Sequence, residues 1–112
     1  MLTISRIREF AEEDGRIVFR AHPQNKGLKA LWCPDNLEIR VYTCNIESTR
    51  DLDITIVHEF IHVAEDFSET IARAAYESEV KHDKIYDLRA RRILRERPYI
   101  LKFIKELYNL KY

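Results

Sequence analysis

The spacing of hydrophobic residues changes once along the chain, near its middle. Ile4, Ile7 and Phe10 recur every three to four residues, which predicts a helix over residues 3–14 that Gly15 ends. After Gly15 the apolar residues come in short runs bounded by Pro, Gly, Asn and Asp. These runs predict three strands, over residues 16–21, 28–33 and 37–43, with a loop at 22–27 and a turn at 34–36.

From residue 48 onward the spacing is helical throughout. The sequence Ser48-Thr49-Arg50-Asp51 has the form of a capping box and predicts the start of a helix that ends near Asp66. This helix is apolar on nearly all sides between residues 54 and 64, so we expect it to be buried. Two more helices follow, one from Ser68 to about Arg95 and one beginning at Arg97-Pro98. The predicted order α-β-β-β-α-α-α makes this an α+β chain.

Size and composition indicate one small folded domain. The chain has 112 residues, 46% hydrophobic and 11% aromatic, which argues against disorder and favours a single domain over 1–112. No apolar run approaches the ~20 residues that span a bilayer, and charged residues interrupt the N-terminal segment, so a cytoplasmic protein without membrane contact is expected. Two cysteines are too few for a disulfide scaffold and favour reduced thiols, with a single disulfide left open.

The charges are segregated although the net charge is zero. Residues 80–112 hold ten Lys and Arg against four Asp and Glu, which gives +6 there and −6 over residues 1–79. Such a basic segment indicates either a surface for nucleic acid or another acidic partner, or simply a solvated helix face.

The candidate chemistry lies in the predicted buried helix, in the sequence His58-Glu59-Phe60-Ile61-His62. Histidines four residues apart lie on one helix face, so both imidazoles can reach one metal ion. Glu59 is rotated away from them and can take a proton from a water bound to that metal without being a ligand. Hydrogen-bonded core histidines are the alternative, but buried polar side chains need partners, which favours Zn²⁺ ligands.

The surrounding residues extend this motif. The segment Thr55-Ile56-Val57-His58-Glu59-Phe60-Ile61-His62-Val63-Ala64 resembles the extended zinc-binding signature of the zincin metallopeptidases. The close motif covers about ten residues, and the order of strands, motif helix and following helix extends the resemblance loosely over residues 16–80. The resemblance implies a compact zincin-like domain in which Glu59 activates the zinc-bound water that attacks a peptide bond, as in an endopeptidase.

A third protein ligand is also implied. In the metzincin branch, Gly and His follow the motif at fixed positions. Those positions are Glu65 and Ser68 in this sequence, so the gluzincin branch, which takes a glutamate from the next helix, is the better match. Glu69, directly after the break that follows the motif helix, is the favoured ligand, and Glu79 and Glu77 are the alternatives. A glutamate in a first helical turn is also favoured by the helix dipole alone, so Glu69 can equally be structural.

Two further features of such a site have candidates. Tyr76 or His82, on the helix after the motif, could stabilise an oxyanion, although a core tyrosine and a surface histidine account for them as well. The zincin arrangement also pairs an extended substrate with an edge strand above the motif helix. The strand at residues 37–43 could serve: its charged alternate face favours an edge position, and an interior position is the alternative.

The sequence therefore favours a zinc metallopeptidase acting on a peptide or protein. The alternative is a regulatory module that binds nucleic acid or protein through the basic segment 80–112, with a vestigial or structural zinc site. The oligomeric state is left open.

Overall fold

Helices and strands follow one another in the predicted order. The computed structural model describes residues 1–22, 27–66 and 79–112, with the backbone alone for Asp66 and residues 79–83. The helices are α1 (Ile4–Glu12), α2 (Thr49–Asp66), α3 (Glu79–Glu96) and α4 (Tyr99–Leu107), and the strands are β1 (Arg16–Arg20), β2 (Ala30–Cys33) and β3 (Glu38–Tyr42). The α+β class and this layout are confirmed. The predicted start of the third helix, at Ser68, lies outside the described residues.

The three strands form one mixed sheet in the order β1-β3-β2. Strand β3 pairs in parallel with β1 and antiparallel with β2, so the edge position favoured for residues 37–43 is wrong and the interior alternative is correct. The charge that suggested an edge is neutralised inside the sheet. The Glu38 carboxylate, only 4% exposed, lies 3.6 Å from the Arg40 guanidinium and 3.9 Å from that of Arg20.

Helix α2 runs through the centre of the molecule, as its all-round apolar sequence predicts. It contacts α1, α3, β2 and β3, and every residue from Ile54 to Ile61 is buried. The largest fully buried side chains come from this helix and from the elements around it: Ile7, Phe10, Ile39, Val41, Ile56, Val57, Phe60, Ile61, Val63, Ile100 and Ile104. This one hydrophobic core holds the motif residues in a fixed frame.

The predicted capping box begins α2 with one change of partner. The Asp51 N–H donates to Ser48 Oγ at 3.0 Å, as expected. The Asp51 carboxylate reaches back one residue further than the usual pattern and accepts from the Glu47 N–H at 2.9 Å. The two bonds give the backbone N–H groups of Glu47 and Asp51 side-chain acceptors at the helix start.

Gly15 follows the end of α1 and lies against an aromatic ring. A Cβ at this position would come within 2.5 Å of the Phe10 ring, so only glycine allows the approach. The Gly15 carbonyl accepts from Tyr108 Oη at 2.9 Å, which ties α1 to the end of α4.

Two further predictions can be compared with the described residues. None of the helices within them combines the length and hydrophobicity needed to cross a membrane. Cys33 and Cys44 are both free cysteines in the structure.

Candidate metal centre

The Nε2 atoms of the two motif histidines face one another. His58 and His62 lie one turn apart on α2, and their Nε2 atoms are 3.2 Å apart. Two nitrogens bound at ~2.0–2.1 Å to one tetrahedral ion would be separated by about 3.3 Å. The imidazoles therefore already have the spacing that a shared Zn²⁺ requires.

Asp87 of α3 fixes the orientation of the first histidine. Its Oδ1 lies 2.7 Å from His58 Nδ1, and the His58 side chain is only about 10% exposed. A carboxylate accepting from Nδ1–H holds the ring in the tautomer whose Nε2 carries the lone pair. That nitrogen is the one directed at His62.

Tyr86, the neighbour of Asp87, supports the second histidine. Its ring stacks on the His62 ring with centroids 4.1 Å apart and an interplanar angle of 22°. The Tyr86 hydroxyl donates to Glu65, which also accepts from Arg89 Nη1 at 2.6 Å. Burial, together with the hydrogen bond to Glu65, raises the pKa of Tyr86 to about 12, so the phenol stays protonated at neutral pH and continues to donate.

Glu59 lies beside the histidines rather than between them. Its Oε1 is 4.0 Å from His58 Nε2, and its side chain is 9% exposed. The side chains of Glu59 and His58 border a cleft of about 250 Å³. Its floor is formed by α2, and its walls are formed by the segment leading into β2 and by one face of α3. A carboxylate in this position can exchange protons with a molecule in the cleft while the histidines hold a metal.

The donor set fits zinc as far as the described side chains reach. Two imidazoles directed at a common point, with the Asp87 carboxylate behind His58, match the ligands and outer partners typical of zinc sites. Among the side chains that the structure describes, no three His, Cys, Asp or Glu residues are grouped as ligands of one ion. A third protein ligand, as predicted from the sequence, would come from the remaining part of the chain.

All of the predicted third ligands fall in that remaining part. Glu69 and Glu77 lie outside the described residues, as does the candidate oxyanion residue Tyr76. Glu79 and His82 belong to α3, but their side chains are not described. The choice among these ligands stays a prediction.

Sequence reasoning missed Asp87 and Tyr86. Nothing in the pattern of α3 distinguishes Asp87 from a surface acid, because its role depends on which face of α3 packs against α2.

Comparison of the chain with protein-family models, with curated proteins and with solved structures finds no match. The chemistry of the site is therefore inferred from its own residues.

Proposed function

We propose that this protein is a zinc-dependent peptidase that cleaves internal peptide bonds, with His58 and His62 as metal ligands and Glu59 as the catalytic base. The observation that carries the proposal is the 3.2 Å approach of the two Nε2 atoms, with Asp87 bound behind His58. The resemblance of residues 55–64 to the zincin signature supports peptide hydrolysis over other metal-assisted reactions.

Each side chain has a distinct task in this reaction. A bound zinc ion supplies Lewis acidity, which lowers the pKa of water to ~7. Glu59 accepts the proton of the attacking water and passes it to the leaving amine nitrogen, so the carboxylate is regenerated at the end of the cycle. Asp87 keeps His58 oriented, and the Tyr86 ring restricts His62.

The remaining site residues are proposed on the basis of the sequence. We expect Glu69 to complete the metal site, with Glu79 and Glu77 as alternatives, and Tyr76 or His82 to stabilise the oxyanion. All five follow α2 in the chain.

The substrate strand is expected to lie along β2. In the described sheet β2 occupies one edge, it contacts α2, and its first residue Ala30 borders the cleft beside Glu59. An extended peptide can add to such an edge through main-chain hydrogen bonds. Substrate pairing is therefore assigned to β2 in place of the central strand β3.

The basic C-terminal segment supports the alternative function less than its charge suggests. Arg89 pairs with Glu65, Arg92 and Arg95 with Glu96, and Lys105 with Asp53. These ion pairs reduce the positive potential available to a nucleic acid. A regulatory binding module in the cytoplasm is retained as the second candidate, and steep salt dependence of DNA binding would favour it.

The proposal is tested by peptide hydrolysis with the zinc-loaded chain. Glu59→Gln should bind the same amount of zinc and lose activity by a factor of about 10²–10⁴, because only proton transfer is removed. Glu12→Gln, an exposed change on α1, is the matched control and should retain full activity. Hydrolysis that persists in Glu59→Gln, or that is insensitive to chelation, would contradict the proposal.

A further inference from the structure

The cleft beside Glu59 is bordered by a positively charged side chain, Arg91, that the proposed chemistry does not use. Its lining contains two basic side chains, Lys29 and Arg91, and three acidic ones, Asp51, Glu59 and Asp87. Lys29 Nζ lies 2.9 Å from Asp51 Oδ1, and Asp87 is bound to His58 at 2.7 Å. Arg91 is the basic side chain of this lining that has no ion pair within the described residues, and it borders the cleft together with Glu59.

Arg91 is available to a ligand. Its side chain is exposed, and within the described ranges 1–22, 27–66 and 79–112 it makes no hydrogen bond or ion pair. Its positive charge contributes to lowering the pKa of Asp51, which borders the same cleft. By contrast, Arg89, Arg92 and Arg95 on the same helix each have a carboxylate partner.

The position of Arg91 relates it to the metal centre. It follows Asp87 by four residues, so the two side chains lie on one face of α3 about 6 Å apart along the helix axis. Asp87 contacts His58 directly. Since an extended peptide advances ~3.3 Å per residue, Arg91 is placed to contact a residue one or two positions from the bond beside Glu59.

We propose that Arg91 is a substrate-recognition residue that binds a carboxylate, so that the cleft selects peptides with an acidic group close to the cleaved bond. This inference rests on the proposed function, because the cleaved bond is the one that the proposed peptidase hydrolyses. A planar guanidinium matches a carboxylate through two parallel hydrogen bonds, which lysine cannot provide. The carboxylate can belong to an acidic side chain or to a peptide C-terminus.

Binding to the full-length chain carrying Glu59→Gln, with zinc added, tests this without turnover. Three fluorescent ten-residue Ala/Gly peptides serve as probes: one with a central Glu and a blocked C-terminus, one with Gln in its place, and one with Gln and a free C-terminal carboxylate. Fluorescence anisotropy gives each dissociation constant. Tighter binding of the first identifies a side-chain carboxylate, and tighter binding of the third a terminal one; either result supports the proposal.

The variants separate Arg91 from general charge effects. Arg91→Gln should weaken the preferred carboxylate peptide about tenfold and leave the blocked Gln peptide unchanged. Arg91→Lys should retain part of the preference. Arg95→Gln, an exposed arginine of the same helix that does not border the cleft, should change neither peptide.

Three results would overturn the inference: equal binding of all three peptides, equal weakening of all by Arg91→Gln, or an equal loss in Arg95→Gln. Its failure is distinguishable from failure of the proposed function. Carboxylate preference without hydrolysis by the wild-type chain would refute the peptidase and leave Arg91 as a binding residue. Hydrolysis by the wild-type chain without any preference for a carboxylate would support the peptidase and refute the role of Arg91.

Discussion

At the scale of single residues, the decisive feature is that both ring nitrogens of His58 have a defined direction. Nδ1 faces Asp87 and Nε2 faces His62. An imidazole held in this way has already lost the rotational freedom that metal binding would otherwise cost. The motif predicted two histidines on one face, but it could not predict Asp87, which comes from a helix 29 residues later in the chain.

Replacement of Asp87 therefore tests the orienting role. Asp87→Asn removes the charge behind His58 and should weaken zinc binding about 10- to 100-fold, because outer partners of metal ligands contribute that much. Competition with a chromophoric chelator measures the affinity. Asp53→Asn, which changes an α2 carboxylate bound to Tyr112 and Lys105, should leave it unchanged. Equal affinities for Asp87→Asn and wild type would contradict the role.

At the scale of elements, α2 was the most predictable part of the chain. Its capping residues and its continuous apolar stretch set its limits, and the structure begins it at Thr49, directly after Ser48. Strand β3 was harder, because alternation shows which residues share a face but not how many strands flank them. The buried Glu38 carboxylate is paired with Arg40 of the same strand and with Arg20 of the neighbouring β1, and the contact with Arg20 joins distant segments that local sequence does not reveal.

The start of α2 should be sensitive to acid. Burial alone would raise the pKa of Asp51, but hydrogen bonds from the Glu47 N–H and Lys29 outweigh it and lower the pKa below its ordinary 3.8. A lowered folded-state pKa means that ionised Asp51 stabilises the fold above the unfolded pKa, and that this contribution is lost as pH falls through the folded value.

Asp51→Ala should accordingly lower the free energy of unfolding by about 1 kcal/mol at pH 7. The gap between wild type and variant should narrow progressively below pH 3.8. Urea unfolding at a series of pH values gives the difference directly, with Glu12→Ala as a surface control. A gap that is constant from pH 7 to pH 2.5 would show that the charge of Asp51 is not the cause.

At the scale of the whole molecule, the histidine helix is enclosed by the sheet on one side and by α3 on another. The sequence predicted the class and the order of elements because each element has its own periodicity. The strand order and the partners of α2 depend on contacts between distant segments, such as the bond from Arg97 Nη1 to the Leu2 carbonyl across 95 residues. Periodicity does not encode these contacts, so the outer partners of the site could not be predicted with the motif.

The central claim is that His58 and His62 hold one zinc ion while Glu59 does not, and elemental analysis of the purified chain tests it most directly. We expect about one zinc per chain in the wild type and in Glu59→Gln, and loss of zinc in His62→Ala. Because His62 is only partly buried in α2, the His62→Ala variant should fold, and circular dichroism checks that it does. Absence of zinc from the wild type after reconstitution, or retention of full zinc by folded His62→Ala, would contradict the account.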